Sequence, residues 1–352
     1  MNDFFKKHQK ALNDFSRMSC AVGERADYVQ GGGGNTSVKL EGGLMAIKAS
    51  GFHLCDVKEK SGYAVVSGQA VREFYLNSNP NDFEDVEQAG AAKTKENTLS
   101  VPGLPSLRPS VEVGFHSLLD TFVSHSHSVY ANLAACSDDP QKYLDLAFKD
   151  APYSCALAPY VNPGAMLTFT IRDAMAKTKA ETGKAPSVIL MQNHGLIAHA
   201  DTAETCLALH EDANLRFQQV FSVTKQDFPK PVIRAVEGGF ESDTPWLRQR
   251  LKGDLYSDEL LLTEPLYPDQ MVFFQGVIGE TAKIDRETGI TSYLGLNEKN
   301  ARTLEETLCA VVFILETLHR HGIKAVPMSD AARAFIHGWE SEKYRKALSE
   351  GK

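Results

Sequence analysis

His125 and His127 stand two residues apart at the end of an apolar run, Phe122-Val123, that reads as a β-strand. Side chains at i and i+2 of a strand share one face, so both imidazoles point the same way. His194 follows a second strand-like run, Val188-Ile189-Leu190-Met191, inside the turn Asn193-His194-Gly195, where a neighbouring strand end could bring it to the same spot. Three neutral imidazoles with one coordination position left open suit a catalytic rather than a structural metal, with Zn2+ the default and iron, cobalt or manganese also compatible with imidazole. Two hydrogen-bonded histidines near a strand end would show the same H-x-H spacing, so the pair by itself leaves both readings open.

Glu112 is expected in the first turn of a helix running from Val111 to Asp120 with Ser110 as its N-cap. The positive end of a helix favours a carboxylate there, as a proton carrier or simply as an ordinary first-turn residue. His116, one turn later on the same face, is placed to orient Glu112 or to line a site, or only to pack. A second group of residues suits a small phosphate. Gly31-Gly32-Gly33-Gly34-Asn35-Thr36-Ser37 can expose successive backbone N–H groups beside amide and hydroxyl side chains, and Ser50-Gly51 follows a strand that carries Lys48. Ser110 would add a third anion-facing group. No Gly-Lys-Ser/Thr follows the glycines and no helix is expected after them, so nucleotide binding is disfavoured. A plain flexible turn would use the same glycines.

These groups need elements to hold them. A helical pattern from Asp3 to Cys20 precedes two strand-like segments, Thr36–Leu40 and Leu44–Ala49, joined at Glu41-Gly42-Gly43, and a third at Tyr63–Ser67. A polar excursion between Asn77 and Pro109 is expected to hold one short helix around Asp85 to Lys95. Helical patterns recur at Val129–Cys136, Gln141–Phe148, Gly164–Thr182 and Thr202–Val223, while Ser187–Gln192 and Leu196–His199 are β-like. The alternation predicts a sheet with helices on its faces. Farther on come a strand signal at Pro265–Phe274, a hairpin through Asp285-Arg286-Glu287-Thr288-Gly289, and long helices from Asn297 to His321 and from Ser329 to Leu348.

Composition narrows the classes. A net charge of −8 with no basic run argues against a nucleic-acid binder, because phosphate backbones are held by surplus Lys and Arg. Neither a signal-peptide h-region nor an apolar run of membrane-spanning length is present. The six cysteines, Cys20, Cys55, Cys136, Cys155, Cys206 and Cys309, are scattered without a C-x-x-C pair and read as reduced, mostly buried thiols, which together point to the cytoplasm.

The blocks Gly34-Asn35-Thr36-Ser37, Ala49-Ser50-Gly51, Pro109-Ser110-Val111-Glu112, His125-Ser126-His127 and Asn193-His194-Gly195 occur in an order that resembles the class II aldolase/adducin family. Gln30–Lys39, Arg108–Glu112, Gln192–Leu196 and Trp339–Arg345 look like the aldolase part of the predicted bifunctional rhamnulose-1-phosphate aldolase/alcohol dehydrogenase group. The resemblance implies an α/β fold, an α/β/α sandwich around a central, largely antiparallel sheet. Residues 1–228 would form the metal-binding domain and 229–352 a C-terminal helical extension packed on the same body.

It further implies a divalent metal on His125, His127 and His194, Glu112 as the proton-transfer carboxylate, and a homo-oligomer, often a tetramer. The substrate phosphate would lie among Gly34, Asn35, Thr36, Ser50, Gly51 and Ser110. The expected reaction is cleavage of a ketose phosphate through a metal-stabilised enediolate. Epimerase, dehydratase or decarboxylase chemistry at the same centre, or an adducin-like binding module without catalysis, are the rival readings. Val111 stands where family aldolases usually carry a second serine, removing one hydroxyl from the phosphate pocket. With no dinucleotide fingerprint up to Lys352, NAD chemistry is not expected. Tyr153 and Tyr160 are conjectured acids for the leaving alkoxide.

Overall fold

The computed structural model describes residues 3–336. Its centre is an eight-stranded sheet built from β1 (Asn35–Leu40), β2 (Leu44–Lys48), β3 (Tyr63–Ser67), β4 (Thr98–Leu99), β5 (Phe122–Ser126), β6 (Cys155–Ala158), β7 (Val188–Met191) and β8 (Gly195–Ala200). The strand order is β4-β3-β2-β1-β5-β8-β7-β6, and every neighbouring pair is antiparallel except β6 with β7.

Alternation along the strands sends apolar side chains to both faces. Val38, Leu40, Ala46 and Phe122 pack beneath the helices Asp3–Gly23 and Ala203–Val220, while Val123, Ile189 and Ile197 meet Phe115, Leu167 and Ile171 from Val113–Leu118 and Ala165–Thr182 on the other side. The fold is therefore an α/β/α sandwich around a largely antiparallel sheet. Among the described residues no helix is long and apolar enough to cross a membrane.

A second antiparallel sheet comprises β9 (Ile233–Val236), β10 (Gly239–Ser242), β11 (Ala282–Ile284) and β12 (Thr291–Leu294), ordered β11-β12-β10-β9. Beside it runs the helix Glu298–Arg320, which begins at an Asn297 cap accepting from the N–H of Asn300. This helix reaches the main body through Phe313, whose ring meets Tyr130 edge-on at 6.2 Å, and one core cluster runs continuously from Val22 to Leu318.

Glu305 joins the long helix to the small sheet. Its carboxylate is fully buried and accepts hydrogen bonds from Ser242 Oγ at 2.7 Å and from the Tyr293 hydroxyl. Burial raises its pKa, only partly offset by the hydroxyls of Thr244, Tyr293 and Ser242. The stability that the proton confers is complete below the ordinary carboxyl range and is lost as pH rises through the elevated value. A Glu305→Gln variant, neutral at every pH, should melt with the wild type near pH 4 and roughly 2–4 °C above it at pH 8. Thermal unfolding across that range checks this; a gap independent of pH would assign the effect to something other than charge burial.

Two local expectations are corrected. Pro265–Phe274 is not a strand: Pro268–Phe274 is a helix, entered from an extended Tyr267, with the proline in the first turn where its missing N–H costs no bond. The helix expected from Val111 spans only Val113–Leu118, with Glu112 rather than Ser110 at the N-cap position. The cause is that Pro109 and Ser110 are tied to the end of β2, through an Ala49–Pro109 bridge and the Ser110 N–H donating to Lys48 O, which holds them extended. The helix Gly68–Asn77 and strands β4, β6, β9 and β10 were not foreseen. Of the closing helix expected from Ser329 to Leu348, residues 330–336 are helical. Trp339–Arg345 and the rest of that helix lie outside the described residues.

Candidate metal centre and active-site cavity

The three histidines arrive from two neighbouring parts of the sheet. His125 is the penultimate residue of strand β5 and His127 follows directly after its end; His194 sits in the β7–β8 turn, where Asn193 adopts a φ of 48°. Because β5 pairs with β8 so that Ser126 faces Leu196, the turn is brought alongside the end of β5. One ring nitrogen from each histidine lies within 4.8 Å of the others, and all three rings are buried. Gly195 is needed for this approach, since a Cβ there would stand 2.2 Å from Ser126 O.

The hydrogen bonds on the outer ring nitrogens decide what the inner ones offer. His125 Nδ1 faces Leu196 O at 3.1 Å and His127 Nδ1 faces Asp269 Oδ2 at 2.5 Å, so each carries its N–H there. Their Nε2 atoms then confront one another 3.1 Å apart. Two lone pairs at that distance repel unless a cation or a proton lies between them. Two buried atoms without a hydrogen-bond partner among the described residues, Glu112 Oε1 and His194 Nδ1, belong to the same cluster. This donor set, three imidazoles beside a carboxylate, fits a divalent transition metal.

Electrostatics distinguish the three rings. Burial, reinforced by the neighbouring histidines, pushes His125 and His194 well below the usual imidazole range and keeps both neutral. At His127 burial also favours the neutral ring, but the Asp269 carboxylate outweighs it and the net shift is upward.

Glu112 lies 3.5 Å from His125 Nε2 and 3.4 Å from His194 Nε2. Desolvation raises its pKa, while an Asn35 Nδ2–H donated to Oε2 at 2.6 Å works against the rise. Asn35 also donates to Ser110 Oγ at 3.1 Å, and its carbonyl oxygen accepts from His116 Nε2. His116 Nδ1 in turn accepts from Ser37 Oγ at 2.7 Å, and burial holds this ring neutral. The His116 ring therefore touches Asn35 rather than the Glu112 carboxylate.

A cavity of about 480 Å³ opens over these groups. Gly34, Asn35, Ser50, Gly51, Ser110, Val111 and Glu112 line it, with His127 and His194 also on its surface. Thr36, expected among the phosphate residues, is not there: strand alternation turns it to the opposite face, where its hydroxyl bonds Ser19 Oγ at 2.7 Å. Lys48 does face the cavity, its Nζ donating to Phe52 O at 2.6 Å and Gly32 O at 3.0 Å, and burial lowers its pKa to about 8.

Pro268, Asp269, Val272, Phe273, Lys299, Asn300 and Thr303, none of which the sequence had singled out, also line the cavity. Pro268-Asp269 is a helix-start signal that could have revealed the element, though not its contact with His127. Tyr153 is bound to Asp212 at 2.6 Å and packs against Phe148, while Tyr160 packs on the Met271 and Met328 cluster; neither lines the cavity.

Comparison with known proteins adds a family to this geometry. Residues 18–219 match the family described as Class II Aldolase and Adducin N-terminal domain. A curated relative, the "Uncharacterized oxidoreductase YuxG" of Bacillus subtilis (strain 168), is 25% identical over 206 residues, 56% of this chain and 27% of that protein. Among solved structures, the N-terminal class II aldolase domain of a conserved protein from Thermoplasma acidophilum is similar at 21% identity and a TM-score of 0.48, over 59% of this chain and 92% of that one. A structure described as L-fuculose 1-phosphate aldolase is similar at 20% identity and a TM-score of 0.42, over 65% and 92% respectively.

Proposed function

The chain belongs to the class II aldolase and adducin family, and we propose that it is a metal-dependent carbon–carbon lyase acting on a ketose phosphate or a related sugar acid phosphate. The observation that carries this reading is the buried Glu112 carboxylate, within 3.5 Å of His125 and His194 and on the surface of an open cavity.

In this reading His125, His127 and His194 hold the cation, which would supply Lewis acidity to the charge that develops on the substrate's carbonyl and neighbouring hydroxyl oxygens. Glu112 moves the proton at the adjacent carbon, and burial favours this by raising its affinity for a proton. Asn35 fixes one carboxylate oxygen, and His116 keeps the Asn35 amide in the orientation that lets its NH2 face Glu112. Lys48, Ser50, Gly51 and Ser110 line the part of the cavity offered to the phosphate, with positive charge from Lys48 in place of the hydroxyl that Val111 lacks.

The test is metal analysis of the purified protein followed by a screen of ketose phosphates for released dihydroxyacetone phosphate or glycolaldehyde phosphate. Stoichiometric metal with aldehyde release supports the lyase. An unchanged carbon skeleton in the products would move the reaction to epimerisation or dehydration at the same centre. Protein without bound metal and without turnover would favour an adducin-like binding role.

A further inference from the structure

We propose that Asp269 is a positioning residue for His127, so that the segment following residue 228 completes the metal centre within the same chain. The inference rests on the reading in which the three histidines hold a cation, and adds to it a group that none of the family blocks contains.

The three rings are held in different ways. His125 is fixed by a backbone carbonyl of the sheet, Leu196 O, and His194 Nδ1 has no hydrogen-bond partner among the described residues. His127 lies past the last residue of β5, where strand pairing no longer sets its direction, and its outer nitrogen is instead taken by Asp269 at 2.5 Å. Both side chains are buried. A carboxylate on the outer N–H selects the tautomer that leaves Nε2 free, aims the ring and raises its basicity as a ligand.

The glycine run supplies an independent observation. A Cβ at Gly33 would stand 2.2 Å from Asp269 Oδ2 and 2.9 Å from His127 Nδ1. Gly33 is not among the glycines with positive φ, so backbone conformation does not demand glycine there; the space taken by the Asp269–His127 pair does. Around it, Gly31 N–H donates to Glu306 at 3.0 Å and the Tyr267 hydroxyl donates to Gln30 Oε1 at 3.3 Å. A Cβ at Gly31 would strike Thr303 at 2.4 Å. The run that reads in sequence as a phosphate cradle is thus also the seat on which the later segment docks.

The experiment uses the full chain, stripped of metal and titrated with Co2+ and with Zn2+ against a chelator, alongside the visible spectrum of the Co2+ form and the melting temperature of the metal-free protein. Asp269→Asn should bind either ion about 10–100-fold more weakly and shift the Co2+ bands, whatever its effect on the metal-free melting temperature. Gly33→Ala, which presses on the same pair from the opposite wall, should weaken binding in the same direction and serves if the first variant fails to fold. Wild-type affinity in Asp269→Asn overturns the inference. So does an affinity loss matched by a lower metal-free melting temperature with an unaltered Co2+ spectrum, since that describes a merely structural contact. A wild-type chain that takes up no ion overturns the metal-centre reading itself, and the inference with it.

Discussion

A His125→Ala chain is expected to retain far less than one divalent ion per molecule and to lose about a thousandfold in kcat/KM, ~4 kcal/mol of transition-state stabilisation. The reasoning is geometric. His125 sits on the central strand of the site, fully buried, with its outer nitrogen fixed by Leu196 O and its inner one 3.1 Å from that of His127 and 3.5 Å from Glu112. Removing it leaves two imidazoles, too few for a catalytic site of three protein ligands. It also opens a buried space against Phe115, whose ring meets His125 edge-on at 5.9 Å, so folding should be confirmed by circular dichroism. Elemental analysis after exhaustive dialysis, with kinetics on the substrate the screen identifies, provides the measurement. Full occupancy with normal turnover would remove His125 from the centre.

Glu112→Gln should behave differently, keeping one ion per chain while kcat falls about 100- to 10,000-fold, equivalent to ~3–5 kcal/mol. Glutamine preserves the shape of the side chain, and its carbonyl oxygen can still accept from Asn35 Nδ2, so Asn35, His116 and Ser37 need not rearrange. What it cannot do is carry a proton. KM should change little, because the substrate's phosphate contacts lie elsewhere in the cavity in the proposed mode. Metal content and kcat must be measured on the same preparation. If the ion is lost together with the carboxylate, Glu112 is a ligand rather than the proton carrier, and the assigned roles have to be exchanged.

Some of this was legible before any coordinates. The two-residue period of a strand is local geometry, and it dictates that His125 and His127 share a face wherever the strand goes. The same period, applied to Asn35, Thr36 and Ser37, separates Thr36 from its neighbours and so from the phosphate contacts among which Asn35 and Thr36 were both expected. The extent of the helix after Ser110 was less accessible, because what delays it is the attachment of Pro109 and Ser110 to β2, some sixty residues back in the chain.

The sequence by itself determined the chemistry on offer, three imidazoles at strand ends, a carboxylate beside a serine and a glycine run, because these follow from residue type and near-neighbour spacing. Only the tertiary structure decided which nitrogen faces which partner, that Lys48 points inward, and that Asp269 reaches His127 across 142 residues. Those outcomes depend on how separately formed elements pack, and the free energy that selects them comes from burial summed over the shared core rather than from any motif at the contacting residues.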